Sequence, residues 1–214
     1  GWTPKRGEMG SLDQGMETLV EALLAALNND PSVDLRFNVN VSTPQAAAEH
    51  AGVSVASVLW AAPRVNDETG PPLTVVAVGY SNDEAASVPV GYGTLFPDVD
   101  SPISGILHES DVHHGQRAPA GHRLFRLMVP HSRWNGEEES VRAALRTMLC
   151  PAEPAMFEIL GTRHVPPVGP GHMQRVAEHA EPWSWIGWSA TGVAITHVIS
   201  EAERLVDLVQ QTPA

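Results

Sequence analysis

The chain has 214 residues, 43% of them hydrophobic, enough for one substantial domain or two small ones sharing a core. Twenty-five acidic side chains against 13 basic ones give a formal charge of −12, which repels phosphate backbones and argues against nucleic acid as a partner. No run approaches the roughly 20 consecutive apolar residues of a membrane span, and the start, Gly1-Trp2-Thr3-Pro4-Lys5-Arg6, has neither a secretory apolar stretch nor a Met, which suggests a processed or trimmed chain.

The first predicted element is a helix from Asp13 to Asn29. Met16, Leu19, Val20, Leu23, Leu24 and Leu27 recur at helical spacing and form one stripe, with Asp13 as the expected cap and Pro31 beyond the end. From Val33 to Val41 the period changes to two, with Val33, Leu35, Phe37, Val39 and Val41 alternating with polar residues, which predicts a half-buried strand. Four more strands are expected at Val53–Trp60, Leu73–Tyr80, Ile103–Glu109 and Arg123–Val129, separated by connectors rich in Gly, Pro and Asn. A second amphipathic helix spans Glu137–Cys150, with Glu137, Glu138 and Glu139 at its positive end. Its apolar end, Met148-Leu149-Cys150-Pro151, carries the chain's single cysteine, which rules out an internal disulfide and fits a buried, inert thiol in a reducing, cytoplasmic compartment. A short strand at Phe157–Thr162, a short helix at Gly171–His179, a strand at Trp183–Gly187 and a helix from about Gly192 to Val209 complete the pass. Helices and strands in this order make the fold class α/β, in a mixed α+β form.

The most informative stretch is Trp183 to Ile195. A buried strand runs into Gly187, crosses small residues to Gly192, and enters a helix. Gly187 permits close approach to the backbone, and Gly192 clears the helix start, so the N–H groups of Val193, Ala194 and Ile195 face outward at the positive end of the helix dipole. That suits an anionic group such as pyrophosphate, or a flavin ring edge. The same pattern fits a strand-to-helix corner whose glycines serve packing.

The histidine-rich segment His108, Glu109, Asp111, His113 and His114, with His122 and His131 beyond, has the residue types of a zinc site. Its spacing matches no helical zinc signature, and adjacent His113 and His114 cannot readily face one ion, so a solvated loop lining a pocket is the expectation over a metal site. His172 and His197 read as packing or capping residues, and no serine or cysteine sits in a nucleophile elbow.

The closing stretch resembles the C-terminal FAD-binding segment of protoporphyrinogen oxidases and the wider flavin amine oxidase superfamily. Further landmarks follow in family order. Asp13-Gln14-Gly15-Met16-Glu17-Thr18-Leu19 is similar to the Gly-Gly-Met-x-x-Leu helix start, and Trp60-Ala61-Ala62-Pro63 to a strand ending Ala-Leu-Pro-Ala. Val90 to Pro97 resembles a Gly-x-Gly-x-Leu-x-Pro strand, and Gly105 to Ser110 with Arg117 to Gly121 the next strand and loop. Val165-Pro166-Pro167 with Gly171-His172 stands at the family's Pro-Gln-Tyr…Gly-His. The resemblance implies the C-terminal half of an FAD-binding fold with part of a mixed-sheet substrate domain. It implies domains over residues 1–60 (cofactor side), 61–155 (substrate side) and 156–214 (cofactor side).

It further implies FAD as cofactor, with Gly187, Trp188, Gly192, Val193 and Ala194 against the flavin and pyrophosphate and Val39 or Val41 near the adenine. The implied reaction is oxidation of a tetrapyrrole-like substrate, such as protoporphyrinogen or coproporphyrinogen, by direct hydride transfer, so no catalytic side chain is named. The chain departs from the family in Gln14, Val168 and Ala202, in a shortened segment after Pro63, and above all in lacking Gly-x-Gly-x-x-Gly. The expected partner is therefore a second polypeptide or N-terminal half carrying that motif. The alternatives are a non-catalytic scaffold that kept the fold, and a flavin amine oxidase.

Overall fold

A computed structural model describes residues 12–62, 70–97, 100–113, 115–164, 170–178, 181–192 and 194–211. In chain order the elements are α1 (Glu17–Asn28), α2 (Pro44–Ala51), a 3-10 turn (Val55–Ser57), β1 (Leu59–Trp60), β2 (Pro72–Ser81), β3 (Gly93–Leu95), β4 (Gly105–His108), α3 (Glu109–Val112), β5 (His122–Pro130), α4 (Glu138–Met148), β6 (Met156–His164), α5 (His172–Ala177), β7 (Ser184–Trp185), α6 (Trp188–Thr191) and α7 (Ile195–Gln211). Parallel and antiparallel sheets alternate with helices, which makes the chain an α/β protein. No helix among the described residues is long and apolar enough to cross a membrane.

The chain divides into two compact units, one of residues 1–36 and 72–163, the other of residues 37–71 and 164–214. The first is built on a five-stranded sheet in the order β3-β4-β5-β2-β6. β2 and β5 run antiparallel, and their register places Val76 opposite Leu127 and Val78 opposite Phe125. These pairs lie on one face because side chains alternate along a strand. Ile106 of β4 joins them, and Val141 and Leu145, one turn apart on α4, close over the same core with Cys150. The thiol is buried, as its apolar context predicts, and donates to Glu84 O at 3.1 Å. Each aliphatic or aromatic side chain so enclosed contributes about 1.5–3 kcal/mol.

The second unit has a smaller core of Trp60, Trp185 and Ala190, against which Val41, Ala47, Val58, Val176 and Trp183 pack. Here β1 and β7 pair in parallel, Leu59 beside Ser184 and Trp60 beside Trp185.

The strands expected at 73–80, 103–109, 123–129, 157–162 and 183–187 and the helix at 137–150 all form, with shifted ends. The strand expected at Val33–Val41 does not. Asn38 takes a left-handed φ of 58°, which breaks the alternation, and no described strand pairs with the segment. The strand expected at Val53–Trp60 shrinks to Leu59–Trp60. Ser54 Oγ accepts the N–H of Ala56 at 3.3 Å and turns the chain into a 3-10 helix first. Asp13 does not cap α1, which begins after Met16 with no side-chain cap. Helix α2 was not foreseen, although its signals are present: Thr43 Oγ1 accepts Ala46 N–H at 3.1 Å, Pro44 opens the helix, and Gly52 closes it.

Candidate functional site

The closing turn is tighter than an open crossing between two glycines. Trp188–Thr191 form a single helical turn, α6, in which Ala190 and Thr191 donate their N–H groups to Gly187 O at 3.0 and 2.9 Å, and Thr191 Oγ1 donates to the same carbonyl at 3.0 Å. The long helix therefore starts at Ile195, and not at Gly192 as the sequence suggests.

Gly187 has φ 87°, and a Cβ there would lie 3.1 Å from Ala61 O, so both its conformation and its closeness to the β1 end disfavour a larger residue. Gly192 has φ 102°, with His197 Nδ1 3.3 Å from where its Cβ would be. The residue sequence reasoning missed is Ala61, whose carbonyl seats Gly187. Its part is played by a backbone oxygen, which residue type does not disclose.

Trp188 stands at the start of α6 and is 54% exposed, so its indole offers a face to a ligand. Ala194 is half-buried, and its carbonyl accepts the N–H groups of His197 and Val198 at 3.0 and 3.3 Å. The helix itself leaves the N–H groups of Ala194, Ile195 and Thr196 unsatisfied. Val193 lies outside the described residues. Gly187, Trp188, Gly192 and Ala194 thus all lie at the α6 turn or the start of α7. Val41 packs against the Trp60, Trp185 and Ala190 core, whereas Val39 is exposed on the irregular segment that replaces its strand.

His172 packs edge-on to Trp185 at 6.4 Å between centroids, in keeping with the packing role expected for it. Its Nε2 is shielded from solvent and has no hydrogen-bond partner among the described residues.

The residues of the turn fit a flavin edge or a single phosphate: small side chains, one exposed aromatic face, and N–H donors at the positive end of a 17-residue helix. Nothing in them resembles a cradle for a whole dinucleotide.

The histidine-rich segment of the first unit is built into ion pairs. Asp111 receives Arg123 through Nη2 at 2.6 Å and Nε at 3.1 Å, and also the Gly91 N–H at 3.3 Å. His108 Nδ1 lies 3.3 Å from the same carboxylate. Burial pushes the Asp111 carboxyl up, but Arg123, the Gly91 N–H and His108 together outweigh it and hold the group below the ordinary carboxylate value. Glu109 pairs with Arg126 and with His113. His122 turns to Ala120 O at 3.2 Å, and His131 Nε2 bonds Thr74 Oγ1 at 2.8 Å. Among the described residues no three His, Cys, Asp or Glu side chains converge as metal ligands. His114 lies outside the described residues.

No protein-family model matches the chain. No curated protein matches it either. Among 25 matching chains of known structure is one from Exiguobacterium sp. 255-15 described as a "Putative protoporphyrinogen oxidase", with a TM-score of 0.60 and 15% identity over 93% of this chain. The alignment spans 51% of that structure, so the chain corresponds to about half its length. At this identity the likeness concerns the fold.

Proposed function

We propose that this chain is the C-terminal half of an FAD-dependent oxidoreductase acting on a tetrapyrrole-like substrate, completed by a second polypeptide or N-terminal half that carries the Gly-x-Gly-x-x-Gly motif. The observation that carries this reading is the turn itself. A parallel strand pair delivers Gly187 to Ala61 O, and α6 then presents an exposed Trp188 shortly before α7 opens. The half-length likeness to the Exiguobacterium structure supports it.

In this reading residues 37–71 and 164–214 belong to the cofactor side, and the five-stranded sheet to the substrate side. Gly187, Trp188, Gly192, Val193 and Ala194 would hold the flavin, whose contribution when bound is to accept hydride. The chain's own work is to exclude bulk from the turn at Gly187 and Gly192, to lay an indole beside the ring, and to aim N–H donors at negative charge.

The test is reconstitution with the polypeptide that travels with this chain. The expected complex binds FAD, seen in its absorbance and quenched fluorescence, and Gly192→Val weakens binding at least about tenfold, some 1.4 kcal/mol, with the circular dichroism unchanged. A stable complex that takes up no FAD would instead favour the scaffold reading.

A further inference from the structure

Helix α1 stands apart from the other long helices. α2 buries Ala48, α4 buries Val141 and Leu145, and α7 buries Leu205, but no residue of α1 is buried. Met16, Val20, Leu23 and Leu27, which rise in one row at i, i+4, i+7 and i+11, are 40–56% exposed. The helix is nevertheless held at its start, where Arg117 Nη2 donates to Leu12 O at 2.6 Å and Gly15 N–H donates to the same carbonyl at 2.9 Å. An apolar row of this kind, fixed in place and open to solvent, marks an interaction face.

Its charge decides what can sit on it. From Leu12 to Leu35 the chain carries Asp13, Glu17, Glu21, Asp30 and Asp34, and neither Lys nor Arg. Glu17 and Glu21 lie one turn apart and flank the row on the Leu24 side. A second copy fits poorly. Parallel pairing sets Glu17 and Glu21 against the uncharged Leu19, Ala22 and Ala26 flank of the other copy, with no cation to meet them, and antiparallel pairing brings the two Glu21 side chains within a turn of each other. An anionic membrane is repelled by the same carboxylates.

We propose that α1 is a docking helix for an amphipathic helix of a different polypeptide, whose apolar row covers Met16, Val20, Leu23 and Leu27 and whose Lys or Arg flank meets Glu17 and Glu21. The inference rests on the two-part reading above and gives the missing part a recognisable surface.

The native thiol, Cys150, is buried, so Leu23→Cys supplies a selective attachment point for an environment-sensitive dye in the full chain. Two synthetic helical peptides with the same leucine row, one flanked by Lys and one by Glu, are titrated against it. The Lys-flanked peptide is expected to shift the emission at a concentration at least about tenfold lower. That advantage shrinks as ionic strength rises, and Val20→Glu in the same protein removes the response.

Equal responses to the two peptides overturn the proposal. So does a dimer by light scattering that Val20→Glu makes monomeric, since the occupant is then a second copy. A response to phosphatidylserine vesicles equal to that for the Lys-flanked peptide assigns the face to membranes. An introduced thiol that labels no faster than Cys150 shows the row already covered. None of these readouts involves flavin, so a failure to bind FAD and a failure of α1 to dock are separate results.

Discussion

Helices α1 and α4 are almost the same length, 12 and 11 residues, and both are amphipathic, yet they meet opposite fates. α4 contains the fewer aliphatic residues and lays Val141 and Leu145 into the sheet core. α1 is nearly all leucine and alanine on one side and buries nothing. What separates them is connection. α4 follows β5 by a short turn in which Trp134 Nε1 donates to Glu137 O at 2.9 Å, so the helix is delivered onto the strand it covers. α1 is tied by Arg117 near Leu12, before its apolar row begins, and Leu19 and Leu24 beside that row are no more than half-buried. An apolar stripe states that a face wants cover, and only the neighbouring chain decides what supplies it.

Five substitutions put that contrast at risk, in order of expected size. Asp111→Ala strips the partner from Arg123 and is expected to cost about 3–5 kcal/mol in urea unfolding. Because the Asp111 carboxyl is held below its ordinary value in the folded chain, its contribution is complete above the unfolded value, near 3.9, and fades as pH falls through the lower folded value. The gap between wild type and variant should therefore narrow below about pH 4, and a gap constant with pH would count against the pair. Leu145→Ala should cost about 2–5 kcal/mol, the range for a buried leucine beneath a helix.

Gly187→Ala must hold a φ of 87° and crowd Ala61 O, so about 1–2 kcal/mol is expected. It should be visible in the fluorescence of Trp60, Trp183, Trp185 and Trp188, all of which belong to its unit. Tyr80→Phe removes a buried hydroxyl without a hydrogen-bond partner among the described residues and should change stability by less than about 1 kcal/mol. Burial raises the Tyr80 pKa to about 12. Its stabilising effect is thus present below the unfolded value near 10 and is lost as pH climbs toward 12, a loss the phenylalanine variant should not show. Leu23→Ala, in the isolated chain, should cost less than about 0.5 kcal/mol. Were it to cost as much as Leu145→Ala, the two helices would not differ in the way described.

The sheet unit was largely legible in the sequence, because β2 and β5 each carry an unbroken alternating apolar row that finds its partner in a single antiparallel register. The segment from Val33 to Trp60 was not. Its alternation is as regular as that of a strand, but Asn38 and Ser54 offer the backbone local conformations that win where no ladder competes. At the candidate site the two glycines announced themselves, since Gly is what a left-handed φ demands. The α6 turn between them did not, because Trp188-Ser189-Ala190-Thr191 has no helical signature in four residues. Ala61 was invisible for another reason: it acts through its carbonyl, and a backbone contact leaves no trace in residue type.

The parallel pairing of β1 with β7 has a consequence for how the chain comes into being. Trp60 must wait for Trp185, and the whole five-stranded sheet is translated between them. A ribosome-bound chain can pair β2 with β5 and seat α4 long before the strand that completes the glycine turn has emerged. Closing so long a loop carries a modest entropic penalty once the intervening residues have condensed, but a large one in time. The turn at Gly187 is therefore among the last features to assemble, and a nascent chain cut short between His164 and Ser184 keeps its sheet and never gains its candidate site.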